Sequence, residues 1–123
     1  MNQEIQKSAV PRSDFAETAA ISIILQNYDA LNAAKWEEDL FFNYANQILF
    51  RAAKKLHEDG AGSDLFRLQS YLEVSGGFEE AGGHHGVLVA FEAYPAPKDI
   101  ESALEFRRDL IKSRKYRRAL KLL

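Results

Sequence analysis

Apolar residues recur along this chain at helical spacing. From Asp14 to Asn32 there is no Gly or Pro, and Ile21, Ile24, Leu25 and Tyr28 share one face of a helical wheel. Phe15, Ala16, Ala19, Ala20, Ile23, Ala30 and Leu31 widen that face until only Thr18, Ser22, Gln26 and Asp29 remain as a narrow polar strip. The pattern predicts a largely buried helix over 14–32, with Ser13 or Asp14 as N-cap. The next segment is more regular. Phe41, Ala45, Ile48, Leu49, Ala52 and Leu56 fall at i, i+4, i+7, i+8, i+11 and i+15, and Phe42 and Ala53 broaden the stripe. Asn43, Gln47, Arg51 and Lys54 lie opposite. Glu37, Glu38 and Asp39 suit a first turn, Lys54 and Lys55 a last one, and Gly60 and Gly62 follow, so a second long helix is predicted over 35–58.

Beyond the glycines the patterns shorten. Leu65, Leu68 and Leu72 at i, i+3 and i+7, behind a Ser63–Asp64 cap, predict a third helix over 65–74. The same segment alternates as Phe66, Leu68, Ser70, Leu72 and Val74, so a strand is the alternative. Residues 75–86 hold five of the seven glycines and read as a Gly-rich loop. Residues 87–94 are apolar and form either about two helical turns or, paired with 66–74, a hairpin; Pro95 and Pro97 end them. Asp99 opens the last helix, with Ile100, Ala103, Leu104, Leu110 and Ile111 as its apolar stripe. After Ile111 the stripe fails: Arg107, Arg114 and Arg118 occupy the sector where core residues belong. The helix is therefore expected to leave the body or to restart near Ser113. The fold these elements specify is all-α: one domain over 1–123, a bundle of four to five helices around two long ones. Residues 1–12 form a polar lead-in and 112–123 a basic C-terminal segment. The alternative is an α+β fold with the 66–74/87–94 hairpin.

Charge adds what periodicity does not. Residues 106–123 contain eight of the sixteen Lys and Arg and one acid, a net +7, whereas the preceding 105 residues carry −9. The overall −2 thus conceals an acidic body with a cationic end, which is a statement about partners and not about fold. The chain has no cysteine, which removes disulfides, thiolate metal sites and a Cys nucleophile. No apolar run approaches the ~20 residues a bilayer crossing needs, and no apolar leader opens the sequence, so a cytoplasmic protein without a membrane contact is expected.

Three constellations invite chemistry. The first is the basic tail, in which Arg107, Arg108, Arg114, Lys115, Arg117 and Arg118 surround Tyr116. Such a helix suits an acidic groove on a protein partner, a nucleic-acid backbone, or the acids of its own body. The second is the Gly-rich loop with Glu79, Glu80, His84 and His85. It lacks metal-ligand spacing, and it has neither the G-x-x-x-x-G-K-[ST] nor the G-x-G-x-x-G order of a phosphate loop, so no metal or cofactor is expected. The third is Arg51 with His57. This pair resembles the Arg–His motif of HEPN-type ribonucleases, small all-helical dimers, which implies a nuclease. Ala52 stands where that family places a polar residue, and on a regular helix the two side chains diverge by about 120°.

A further aromatic face runs along Trp36, Leu40 and Tyr44 at i, i+4 and i+8, either packed inside or exposed as an interface. No Ser-His-Asp arrangement is present. Together these features lead to the expectation of a non-enzymatic binding or assembly protein, of the chaperone, immunity or phage-accessory kind. Its partner is a protein or a second copy of itself, met through the basic helix and the Trp36, Leu40, Tyr44 face. The competing class is a nucleic-acid-binding regulator using the tail, or a HEPN-like RNase.

Overall fold

The computed structural model describes residues 14–94 and 99–121, and among them every regular element is helical. The elements are α1 (Asp14–Gln26), α2 (Tyr44–Glu58), α3 (Leu65–Ser75), α4 (Gly83–Glu92) and α5 (Ile100–Lys121). Two short 3₁₀ turns, Tyr28–Asn32 and Glu38–Leu40, link α1 to α2. Neither strand of the alternative hairpin forms. The lead-in expected over 1–12 lies outside the described residues.

α1 is the hub, packing against α5, α2 and α4, while α2 meets α3 and α3 meets α4. Its composition explains that position. Ala16, Ala19, Ala20 and Ser22 let neighbouring backbones approach, and Ile21, Ile23, Ile24 and Leu25 fill the space between them; all are buried. A helix apolar almost all round has to be surrounded. Its one buried hydroxyl is fully used: Ser22 Oγ donates to Phe91 O at 2.9 Å and accepts from Tyr94 N at 3.0 Å. Gln26 Nε2 donates to the same Phe91 carbonyl. The end of α4 is thereby tied to the middle of α1.

The two long helices expected from the sequence are both shorter. α1 stops at Gln26 because Asn27 takes a cap role: its side chain accepts from Asp29 N at 3.1 Å and starts the 28–32 turn. α2 begins at Tyr44, not Lys35. Asn43 caps it, its side chain accepting from Asn46 N at 3.3 Å. The carboxylate of Glu17, buried in α1, accepts from Phe42 N at 2.9 Å, Asn43 N at 2.7 Å and Asn46 Nδ2 at 3.1 Å. Orphan amide donors at a helix start are thus satisfied by a side chain from another helix.

α3 matches the expected span within one residue. Asp64 caps it, accepting from Phe66 N and Arg67 N. Gly76 ends it in the left-handed conformation at φ +88°, which a residue with a Cβ rarely adopts. The Gly-rich segment is only half a loop, since from Gly83 onward it is the first turn of α4. Gly82 makes this possible: its φ is +111°, and an added Cβ would lie 2.9 Å from Gly86 Cα. The last helix neither leaves the body nor restarts at Ser113; α5 runs unbroken to Lys121.

Candidate interaction surface on the C-terminal helix

The cationic end of the chain lies along its own acidic body. Residues 35–42 form an extended loop around the 38–40 turn, and the inward side of α5 covers it. Arg107 donates from Nε and Nη2 to the carbonyl of Lys35 at 2.9 and 2.5 Å. Arg114 Nη1 reaches Glu37 Oε1 at 3.0 Å and Asp39 Oδ1 at 2.7 Å. Arg118 Nη2 takes the other carboxylate oxygen of Asp39 at 2.7 Å, and Arg117 Nη2 the Asp39 carbonyl at 2.7 Å. Asp39 therefore anchors three arginines. Burial pushes its carboxyl up, but the hydrogen bonds and charges of Arg114 and Arg118 outweigh that, and it sits below the ordinary aspartate value. Glu38 is also held low, by its hydrogen bond from Arg51 at 2.7 Å. Burial alone would lower Arg114, yet Asp39 and Glu37 hold it above the usual arginine value. The arginines that interrupt the apolar stripe are thus what keeps α5 seated after Leu110.

The aromatic face expected at Trp36, Leu40 and Tyr44 does not exist as a face, because residues 35–43 are not α-helical. Trp36 is only 7% exposed, donates from Nε1 to Ala30 O at 2.9 Å and stacks on Phe41, with Arg107 above the indole at 5.8 Å. Leu40 is wholly buried. Tyr44 is exposed at the first residue of α2, where it lines a groove with Arg51, Tyr71 and Ser75. Phe42, expected in the core stripe, is instead 70% exposed, with the Arg117 guanidinium over its ring at 5.4 Å.

Of the cations singled out in the sequence, Arg107, Arg114, Arg117 and Arg118 face the body. Arg108, Lys115 and Tyr116 face outward, joined by Lys112 and Leu120. Sequence reasoning missed Glu17 and Asp39. The Glu37–Glu38–Asp39 run was a legible signal for the second, whereas an isolated acid in an apolar helix gives none for the first.

The remaining candidates separate. Arg51 pairs with Glu38 at 2.7 Å and His57 Nε2 lies 3.2 Å from Asn32 Oδ1, so the two serve different neighbours and form no joint site. His84 packs edge-on against Phe78 and lies 3.7 Å from Glu73, on the surface. Among the described residues no three His, Cys, Asp or Glu side chains are grouped so as to hold a metal ion. Among them, too, no helix is long and apolar enough to cross a membrane. Tyr28 is buried with its hydroxyl lacking a partner among the described residues, and its pKa is pushed up to about 12, by burial first and by Asp64 second.

Comparison with known proteins gives this geometry a family. Residues 9–107 match the family model described as the DnaB-like helicase N terminal domain. The structure resembles the crystal structure of the N-terminal domain of DnaB helicase from Mycobacterium tuberculosis, with a TM-score of 0.78 and 19% identity over 90% of this chain and 80% of that one. At that identity the likeness concerns the fold. No curated protein sequence matches significantly. The family match overturns the expected adaptor of chaperone, immunity or phage-accessory type, and with it the nucleic-acid regulator and the HEPN-like ribonuclease.

Proposed function

The chain belongs to the DnaB-like helicase N-terminal domain family, and on that premise we propose that it works at a replicative helicase, as a domain that assembles with like domains. The match over residues 9–107 is the observation that carries this reading. N-terminal domains of this family oligomerise and bind other proteins. The residues in hand suit that work better than a motor's, since no Gly-Lys pair of a phosphate loop occurs anywhere in the sequence.

The contact surface we assign is the outward side of α5. Successive residues turn by about 100°, which sets Lys112 and Tyr116 opposite the arginines that face the body and Arg108 and Lys115 on the exposed flank beside them. Tyr116 is 37% and Leu120 51% exposed, one turn apart, within a cationic surround. An aromatic and a leucine ringed by charge are suited to an interface, and the acidic body of a second copy is complementary to that charge. Such an assembly would work in the cytoplasm, beside the helicase.

Light scattering after size exclusion tests this. The intact chain is expected to run above its monomer mass in a concentration-dependent way, and Tyr116→Asp with Leu120→Asp to return it to monomer without loss of helicity. A strict monomer at the highest soluble concentration refutes self-association.

A further inference from the structure

Between the 38–40 turn, the start of α2 and the end of α5 lies a groove of about 300 Å³, walled by Arg114, Arg117, Arg118 and Lys121 with Phe41, Phe42 and Gln47. Among the described residues Asp39 is the only carboxylate lining it, and both its carboxylate oxygens are already engaged, one by Arg114 and one by Arg118. Donors remain in excess. Arg117 and Arg118 line the groove with guanidinium groups whose recorded partners are the Asp39 carbonyl and one Asp39 carboxylate oxygen, and Lys121 has no ion-pair partner among the described residues. With both Asp39 oxygens engaged, the cations lining the groove outnumber the acceptors set against them, so the groove favours an added acceptor of negative charge. Counting Glu37, which also serves Arg114, the four cations face two acids among the described residues and leave a surplus of +2 there.

We propose that this groove is a binding site for a phosphoryl group. Several planar guanidinium forks and an ammonium converging on one space suit a compact dianion with three acceptor oxygens better than a single carboxylate. The site is preorganised: Asp39 fixes Arg118, and the Phe42 ring and the Asp39 carbonyl fix Arg117. Phe42 stands on the rim with most of its ring in water. The phosphoryl group can come free in solution or carried by a nucleotide, whose base would then lie on Phe42. The cations belong to residues 114–121, beyond the stretch that matches the family model, while Asp39, Phe41, Phe42 and Gln47 lie within it.

Amide NMR of the full chain, in buffer free of phosphate, tests it. Inorganic phosphate, pyrophosphate and a nucleoside monophosphate are each titrated to about 20 mM, a range that reads binding by a few charge-assisted contacts. Saturable shifts confined to residues 39–47 and 114–121 are expected. Lys121→Gln, which removes no ion pair among the described residues, is expected to weaken binding about three- to fivefold, and Arg117→Gln to weaken it further. Tighter binding of the nucleoside monophosphate than of phosphate, lost in Phe42→Ala, identifies the nucleotide as the source; equal binding identifies the group alone. Shifts that do not saturate, or that Lys121→Gln and Arg117→Gln together leave unchanged, overturn the site.

Discussion

α1 and the second half of α5 are both seated against the same body by opposite means. α1 buries Ala16, Ala19, Ala20, Ile21, Ile23, Ile24 and Leu25, and its buried polar groups, Glu17 and Ser22, are hydrogen-bonded within the protein. α5 buries only Ala103, Leu110 and Ser113, and past Leu110 its hold is the set of arginines around Asp39. Apolar contact at α1 is insensitive to salt and to pH near neutrality. The arginine seam is sensitive to salt, because its partners are half-exposed and screened, and to acid, because Asp39 must stay ionised. One bundle therefore has a hub that is fixed and a C-terminal arm whose seating depends on solution conditions. The difference also separates the roles of the two faces of α5, the inner one occupied by its own body and the outer one left for a partner.

Several experiments probe that contrast, the largest effect first. Leu25→Ala or Leu49→Ala removes a wholly buried leucine from the core; each is expected to cost about 2–5 kcal/mol and to lower the melting temperature by roughly 10 °C in a calorimetric scan. Glu17→Ala orphans the amides of Phe42 and Asn43, a loss of about 1–3 kcal/mol, while Glu17→Gln, which keeps one acceptor, is milder. A Glu17→Ala protein as stable as the original would show that the start of α2 does not need this tertiary cap.

Asp39→Asn attacks the arm instead. The global change is expected to stay below about 1 kcal/mol, because the pair is screened. Hydrogen exchange over residues 112–121 should nonetheless rise, and molar salt should produce the same rise in the original chain. The pH dependence has a definite sign. The folded value for Asp39 lies below its unfolded one, so its stabilisation is present above the unfolded value, near pH 4, and is lost as pH falls through the folded value. Trp36 fluorescence, reporting beside Arg107, is expected to change over that acid range while far-ultraviolet circular dichroism of the core helices holds.

The smallest effect belongs to Tyr28. Its folded value is raised, so its contribution is intact below the unfolded value, about 10, and is lost as pH climbs through about 12. A spectrophotometric titration should show one late tyrosine, absent in Tyr28→Phe. Since the hydroxyl has no partner among the described residues, that variant is expected to be neutral or slightly more stable.

Much of the molecule was legible in residue order, and the reason is local. The helical period of α1, the Asp64 cap of α3, and the apolar stripe of α5 up to Leu110 are written in neighbours a few positions apart, and every one of them formed. The charge split was equally plain, and the acids at 37–39 stood ready to receive the arginines. What the order of residues could not decide was where competing partners would come from. Trp36, Leu40 and Phe41 sit at helical spacing, yet Glu17, more than twenty positions away in sequence, takes the amides of Phe42 and Asn43 and starts α2 at Tyr44. The three apolar side chains then plug the core from an irregular loop. Likewise the arginines of α5 break a stripe when read as a wheel, and complete a seam once folding brings Asp39 beneath them. Propensity and period act over one or two turns; a buried carboxylate or an ion-pair hub acts across the chain, and only the packed structure chooses between them.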